Sequence, residues 1–316
     1  MSDTSELTYR EGLTSDLRTT FDLSEVALHS TGQLMGVLAS EPPDGAELDR
    51  RWERQSGLAE FLAAQPGSYW ICEDAGQPVG FCQVRAFGAM EELSQLMVLP
   101  GHQGRGIARN LIRRCWPGDP TPEVGRVVVA AGAPGDLTLY QEVGVMPVAG
   151  HWHLRVDADD YRLRRSHEID AVDPPVVVLE MDRAVTEWKL LEPPAIGHER
   201  PQLHEFFGRT RTCLAIMDEA GEHATALCWV GPDGEIGPAV GRTQEELVPL
   251  VLQALDRVAS SMEPEALGVF CATDSWWMLR RLRALGFRVW WPSWIMSSIP
   301  LPGLDRYLPT RPAQLL

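Results

Sequence analysis

One order of elements is written into this chain twice, and nothing else in the sequence limits its fold as much. A helical pattern over Leu48 to Ala64 leads into the strand Ser68 to Glu73, a tight Asp-Ala-Gly-Gln turn and the strand Pro78 to Arg85. Then come the strand Glu92 to Leu99, a glycine-rich loop with its helix, the apolar strand Arg126 to Ala130, a short helix at Leu137 to Val143 and the strand Gly150 to Val156. The order returns as the strands Thr212 to Asp218, His223 to Val230 and Glu235 to Val240, the helix Glu245 to Ser260, and the strand Leu267 to Cys271. It closes with the helix Trp276 to Leu285 and the strand Arg288 to Met296. Even the turns Glu73-Asp-Ala-Gly76 and Asp218-Glu-Ala-Gly221 echo each other. The spacing is about one domain, and 316 residues suffice for two cores. Residues 1–158 and 173–316 are therefore expected to be two domains, joined by the polar, Pro-containing stretch Asp157 to Pro175.

The segment Leu96 to Ile112 carries the chemistry of the first half. It reads as an apolar strand, a turn at Pro100 and Gly101, a glycine-spaced loop, and a helix with Ile107, Leu111 and Ile112 on one face. Such a loop aims several backbone N–H groups at one point, and the helix adds unpaired N-terminal donors and its positive dipole end. This is an anion site suited to a pyrophosphate. The glycine spacing of dinucleotide-binding folds and the Gly-Lys-Ser/Thr of nucleoside-triphosphate loops are both absent.

Strand, Pro100, loop and helix together resemble motif A of the GNAT superfamily of acyl-CoA N-acyltransferases, whose loop is Gln/Arg-x-x-Gly-x-Gly/Ala. Gln103, Gly106 and Ala108 match it position by position. The resemblance implies an α/β (α+β) fold of two tandem GNAT-like domains, each a mixed, mostly antiparallel sheet flanked by helices. It implies acetyl-CoA as acyl donor, held by Gln103, Gly104, Arg105, Gly106, Ile107 and Ala108 and by the backbone near Met97 or Val98, where the strand is expected to bulge. No metal is implied.

Acyl transfer to an amine requires a neutral amine, a polarised carbonyl and a proton for the leaving thiolate. Glu92 falls at the register where the histone-acetyltransferase type of the family places its base. Simple alternation groups it with Ser94, Leu96 and Val98 and sets Glu91, Leu93, Gln95 and Met97 on the other face, so one of the two glutamates can face the cofactor. A water relay is the alternative base. Leu139-Tyr-Gln-Glu-Val-Gly-Val145 resembles the family's Leu-Tyr-x-x-x-Gly-Phe, whose tyrosine often protonates the coenzyme A sulfur, and Tyr140 takes that place. The segment departs from the pattern at Val145, which stands for the aromatic, and at Ala133, which stands for a common asparagine.

The second half lacks this equipment. Ala239-Val-Gly-Arg-Thr-Gln-Glu-Glu246 has one glycine and two carboxylates in the first helical turn, and Leu282 occupies the tyrosine's place. The C-terminal half therefore reads as a degenerate copy. Mycothiol synthases are similar in length and duplication, but in that family the C-terminal half is the catalytic one.

Composition sets the partners. A net charge of −16 disfavours nucleic acid and would tolerate or attract a cationic amine; the resemblance implies an amine acceptor, expected to be a small molecule. An acceptor peptide or protein N-terminus, or a non-catalytic acyl-CoA sensor, stands as the alternative. No apolar run is long enough to span a bilayer and the N-terminus has no secretory pattern, so a cytoplasmic protein with no membrane partner is expected; a homodimer stays open. Six scattered cysteines read as reduced and buried, His151 and His153 as structural, and most of the eleven tryptophans as packing residues.

Overall fold

The computed structural model describes residues 7–38, 41–131, 134–167 and 174–316. The first repeat runs β1 (Leu7–Glu11), α1 (Leu17–Leu34), α2 (Gly45–Ala64), β2 (Gly67–Asp74), β3 (Gln77–Phe87) and β4 (Met90–Val98). It continues with α3 (Ile107–Cys115), β5 (Gly125–Ala130), α4 (Pro134–Gln141) and β6 (Met146–Asp157). After α5 (Ala158–Ser166) the second repeat begins with β7 (Val176–Leu179), α6 (Met181–Leu191), α7 (Pro193–Ile196) and α8 (Pro201–Thr210). Then follow β8 (Thr212–Met217), β9 (Ala224–Val230), β10 (Ile236–Gly241), α9 (Gln244–Ser261), β11 (Ala266–Ala272), α10 (Trp276–Ala284), β12 (Arg288–Ser297) and β13 (Tyr307–Leu308). The duplicated order holds element by element, and it extends further toward the N-terminus of each repeat than the sequence pattern revealed. The stretch read as a linker carries α5, which Asp157 caps and whose Tyr161 is buried with its hydroxyl on Asp256.

Local chemistry explains the boundaries. Asp44 caps α2 by accepting from the Glu47 N–H. Ala75 and Gly76 both take positive φ, the requirement of a two-residue turn that joins twisted strands, here β2 to β3.

The chain divides into two compact units, residues 1–126 with 139–144, and residues 127–138 with 145–316. In the first, β1–β4 pair antiparallel in sequence order. The α1 face of this sheet carries Tyr69, Ile71, Phe81 and Met97 against Leu23 of the helix. On the opposite face Cys82 and Gly80 meet Cys115 and Ile107 of α3. In the second unit one sheet runs β13-β10-β9-β8-β7, packed on α9 through Leu250, Val251 and Leu255.

The other sheet of the second unit interleaves the two repeats. β12 lies between β5 and β6, pairing Ile295 with Val129 and Val289 with Leu154, while β6 lies between β12 and β11, pairing Leu154 with Val269. β12 of the second repeat is thus inserted between β5 and β6 of the first, and β6 of the first between β12 and β11 of the second. The compact units accordingly do not coincide with the sequence repeats: β6, from the first repeat, has both its neighbours from the second.

One buried polar network in this unit joins α6, α8 and β9. Glu192, at the end of α6, receives Arg200 at 2.6 Å and His204 at 2.8 Å, all three essentially without exposure. Trp229 can only donate, and it donates to His204 Nδ1 at 3.1 Å, so the proton sits on Nε2 and points at the carboxylate. Burial works to raise the Glu192 carboxyl, but Arg200 and His204 outweigh it and hold the group well below the carboxylate range. All six cysteines are buried and unpaired, and burial pushes Cys213 and Cys271 up to about 12.

Candidate active site

Every residue singled out for cofactor binding or catalysis lies in the first compact unit. Leu99 leads into a single turn of 3-10 helix over Pro100–His102, after which Gln103 is extended and Gly104 and Gly106 both take the left-handed conformation, φ +75° and +78°. Those two angles turn the backbone sharply into α3, and only glycine adopts them without strain. The loop is pinned from both ends. Asp74, at the end of β2, receives Arg105 Nη1 at 2.9 Å and His102 Nε2 at 3.2 Å, while Gln103 Nε2 donates to the Val98 carbonyl at 3.2 Å. Ile107 and Leu111 bury one side of α3, and Arg109 on the other side grips Glu142 through two bonds of 2.7–2.8 Å.

The N-terminus of α3 fits an anion on structural grounds. Gly106 is its N-cap and supplies no side chain to the first N–H groups, and a Cβ built on Gly106 would meet nothing closer than Asn110 at 3.9 Å. The matching helix of the second repeat is the opposite case. Thr243 caps α9 by accepting from the Glu246 N–H, Glu245 and Glu246 fill its first turn, and a Cβ at Gly241 would strike the Thr243 carbonyl at 2.6 Å. The same Cβ would also meet Leu247 at 2.9 Å, so the backbone and Leu247 crowd this turn. Leu282, at the tyrosine's place, is core.

The strand β4 departs from simple alternation. Ser94 is an extra residue: Leu93 faces Val84 and Gln95 faces Gln83, with Ser94 Oγ donating to the Gln83 carbonyl. The bulge resets the parity, so Glu92 shares its face with Gln95 and Met97, opposite Arg85, Gln83 and Phe81. The face assignment read from the sequence is corrected accordingly. The bulge sits at Ser94, whereas β3 and β4 pair in regular register at Met97 and Val98. Leu99 donates to Val79 across the same pair of strands, so by antiparallel alternation Met97 directs its backbone groups toward β3 and Val98 directs its own away.

The two adjacent glutamates have separate surroundings. Glu91 reaches Arg126 Nε at 3.6 Å, on a guanidinium that also lies over the Trp116 ring. Glu92 is 1% exposed and lies on the α1 face. Tyr140, on the last turn of α4, is buried too. Two residues with a clear place around this site escaped sequence reading. Asp74 looks like an ordinary hairpin acid, and only the fold brings it under the loop. Arg85 had a signal, being the one charge in the buried, mainly apolar strand Phe81 to Phe87.

His151 and His153 flank the Phe270 ring at centroid distances of 4.7 and 4.6 Å. Burial lowers both to about 3. Among the described residues no group of histidine, cysteine and carboxylate side chains is arranged to hold a metal, and no helix is long and apolar enough to cross a membrane.

Comparison with known proteins agrees with this geometry. Residues 65–144 match the model of the acetyltransferase (GNAT) domain family. No curated protein matches the chain. Among solved structures it is similar to a candidate acetyltransferase from Pyrococcus horikoshii, at TM-score 0.72 and 14% identity over 100% of this chain and 98% of the other. A tandem GNAT protein from the clavulanic acid biosynthesis pathway aligns at TM-score 0.60 and 17% identity over 93% and 99%. A GCN5-related N-acetyltransferase from Sphaerobacter thermophilus aligns at 0.56 and 16% over 95% and 97%. The matched residues contain β2–β4, the glycine loop, α3 and Tyr140, so this segment is similar to the acetyltransferase (GNAT) domain, and the chain over nearly its whole length shares the fold of these solved structures.

Proposed function

We propose that the chain is an acetyl-CoA-dependent N-acetyltransferase of a small amine, with the first repeat, residues 1–158, catalytic and the second, residues 173–316, degenerate. The observation that carries this reading is the contrast between the repeats: an open, uncapped α3 behind two left-handed glycines against an acid-capped, closed α9. Bound acetyl-CoA supplies the acetyl group as a thioester. Its pyrophosphate is received by the backbone N–H groups of Gly104 to Ala108, with Gln103 and Arg105 holding the loop in place. Val98, with its backbone groups turned away from β3, is the better placed of the two β4 residues to bind the cofactor's extended arm; Met97 contributes its side chain.

Glu92, directly or through water, takes the proton that frees the amine for attack. The C–N bond forms as the C–S bond breaks, and the Tyr140 hydroxyl, a donor at neutral pH, gives its proton to the departing thiolate. The second proton released by the amine then returns to the phenolate, leaving amide and thiol. The test is titration calorimetry with acetyl-CoA followed by thiol release across a panel of amines. One cofactor per chain and turnover with an amine are expected. Cofactor binding with no turnover on any amine or peptide would favour an acyl-CoA sensor instead.

A further inference from the structure

Helix-on-sheet interfaces are ordinarily apolar, and the one beneath α1 is not. Beside Phe81 and Ile71, the α1 face of β2–β4 presents Tyr69, Gln83, Arg85 and Glu92, and the helix answers with Thr20, whose hydroxyl bonds that of Tyr69 at 2.9 Å. Most of this polarity is paired. Arg85 is the exception. It is 3% exposed, its Nε has no partner, its Nη1 reaches only the carbonyl of its neighbour Val84 at 3.4 Å, and among the described residues no carboxylate lies within ion-pair distance of it. Its remaining neighbour is the Tyr69 ring, with the guanidinium carbon 6.0 Å from the centroid.

A buried guanidinium without a counter-charge is among the most costly arrangements a fold can keep. The burial works against its charge and lowers it from the ordinary arginine value. The other buried arginines of this chain, Arg126 and Arg200, have a carboxylate close by, and the half-buried Arg211 and Arg311 make short carbonyl bonds, whereas Arg85 has one carbonyl at 3.4 Å. Arg85 also stands directly opposite Glu92 in the strand register, so the candidate base and the unpaired cation are cross-strand neighbours on one face, about 5 Å apart at their backbones.

We infer that Arg85 binds a carboxylate of the acceptor, so that the acceptor amine is an amino acid or a close analogue, held with its carboxylate on Arg85 and its amine toward Glu92. This names the substrate class within the proposed function and rests on that reading. A planar guanidinium receives a carboxylate through two parallel bonds, and the pairing is strongest where water is excluded.

The test compares amino acids, including β-alanine and γ-aminobutyrate, with their carboxamides. Two readouts are used: thermal melting with coenzyme A but no acyl donor, and thiol release with acetyl-CoA. Wild type is expected to be stabilised by, and to acetylate, carboxylated members in preference to their amides. Arg85→Met is expected to melt higher than wild type, because it removes an uncompensated charge, while KM for carboxylated acceptors rises about 100-fold and the amides are used as before. Arg85→Lys is expected to recover part of the preference. An Arg85→Met protein that melts lower, with amide and carboxylate acceptors affected alike, makes the residue structural and overturns the inference. So does wild type with no saturable response to any carboxylated member. Failure of coenzyme A to bind would overturn the proposed function instead, and turnover of amines with indifference to carboxylate would keep that function and remove this inference.

Discussion

Under the proposed function, Gly106 and Tyr140 are the positions where single atoms decide the outcome. At φ +78° with open space around its Cα, Gly106 admits an aspartate, one of the few residues that tolerate the left-handed region. Gly106→Asp should therefore leave the melting temperature within a few degrees of wild type while placing a carboxylate where the pyrophosphate belongs. Calorimetry should show at least ~100-fold weaker coenzyme A binding; unchanged affinity in the folded variant would remove the loop from the cofactor site. Tyr140→Phe keeps the buried ring and deletes the donor, so kcat should fall ~100-fold with cofactor affinity nearly unchanged, as stopped-flow thiol release would record. Both positions were legible because a glycine loop before a helix and a Leu-Tyr segment are local patterns. Arg85 left only a trace, a charge in an apolar strand, since what marks it is the lack of a partner, and a sequence does not show which carboxylates come near.

At the scale of elements, α9 and the network around α6 and α8 respond to substitution in distinct ways. Thr243→Ala removes the cap of α9 and should cost about 1 kcal/mol by urea unfolding without touching cofactor affinity. Arg200→Met strands the buried Glu192 charge between α6 and α8 and should cost about 3–5 kcal/mol, far more than the loss of an exposed ion pair. The hairpins and the long amphipathic helices could be read in advance because their periods are local. β1 and β7 could not, being four or five residues with no turn signal of their own, and β4's parity was misread because a bulge inserts one residue without changing composition.

For the molecule as a whole, acid is the condition to watch. His151 and His153 are held neutral by burial, with folded values near 3 against about 6.5 in the unfolded chain. Their contribution is complete above pH ~6.5 and is lost as the pH falls from there through about 3, at roughly 1.4 kcal/mol per pH unit per histidine. Urea titrations between pH 7 and 4 should show this slope, and His153→Phe, which keeps an aromatic ring beside Phe270, should remove about half of it. The repeat itself was plain in the sequence, but the pairing of β12 with β5 and β6 was not, because strand neighbours far apart in the chain leave no local trace.

That pairing bears on how the protein is made. A ribosome finishes α3, the glycine loop and Tyr140 by residue 140, yet the strand that seals the open flank of β5 is not translated until residues 288–297. During the synthesis of more than a hundred residues the first repeat has an exposed β-edge, the kind of surface that recruits chaperones or pairs with a neighbouring nascent chain. The second repeat is thereby protected from loss: a premature stop within it before residue 288 would leave β5 without its β12 neighbour.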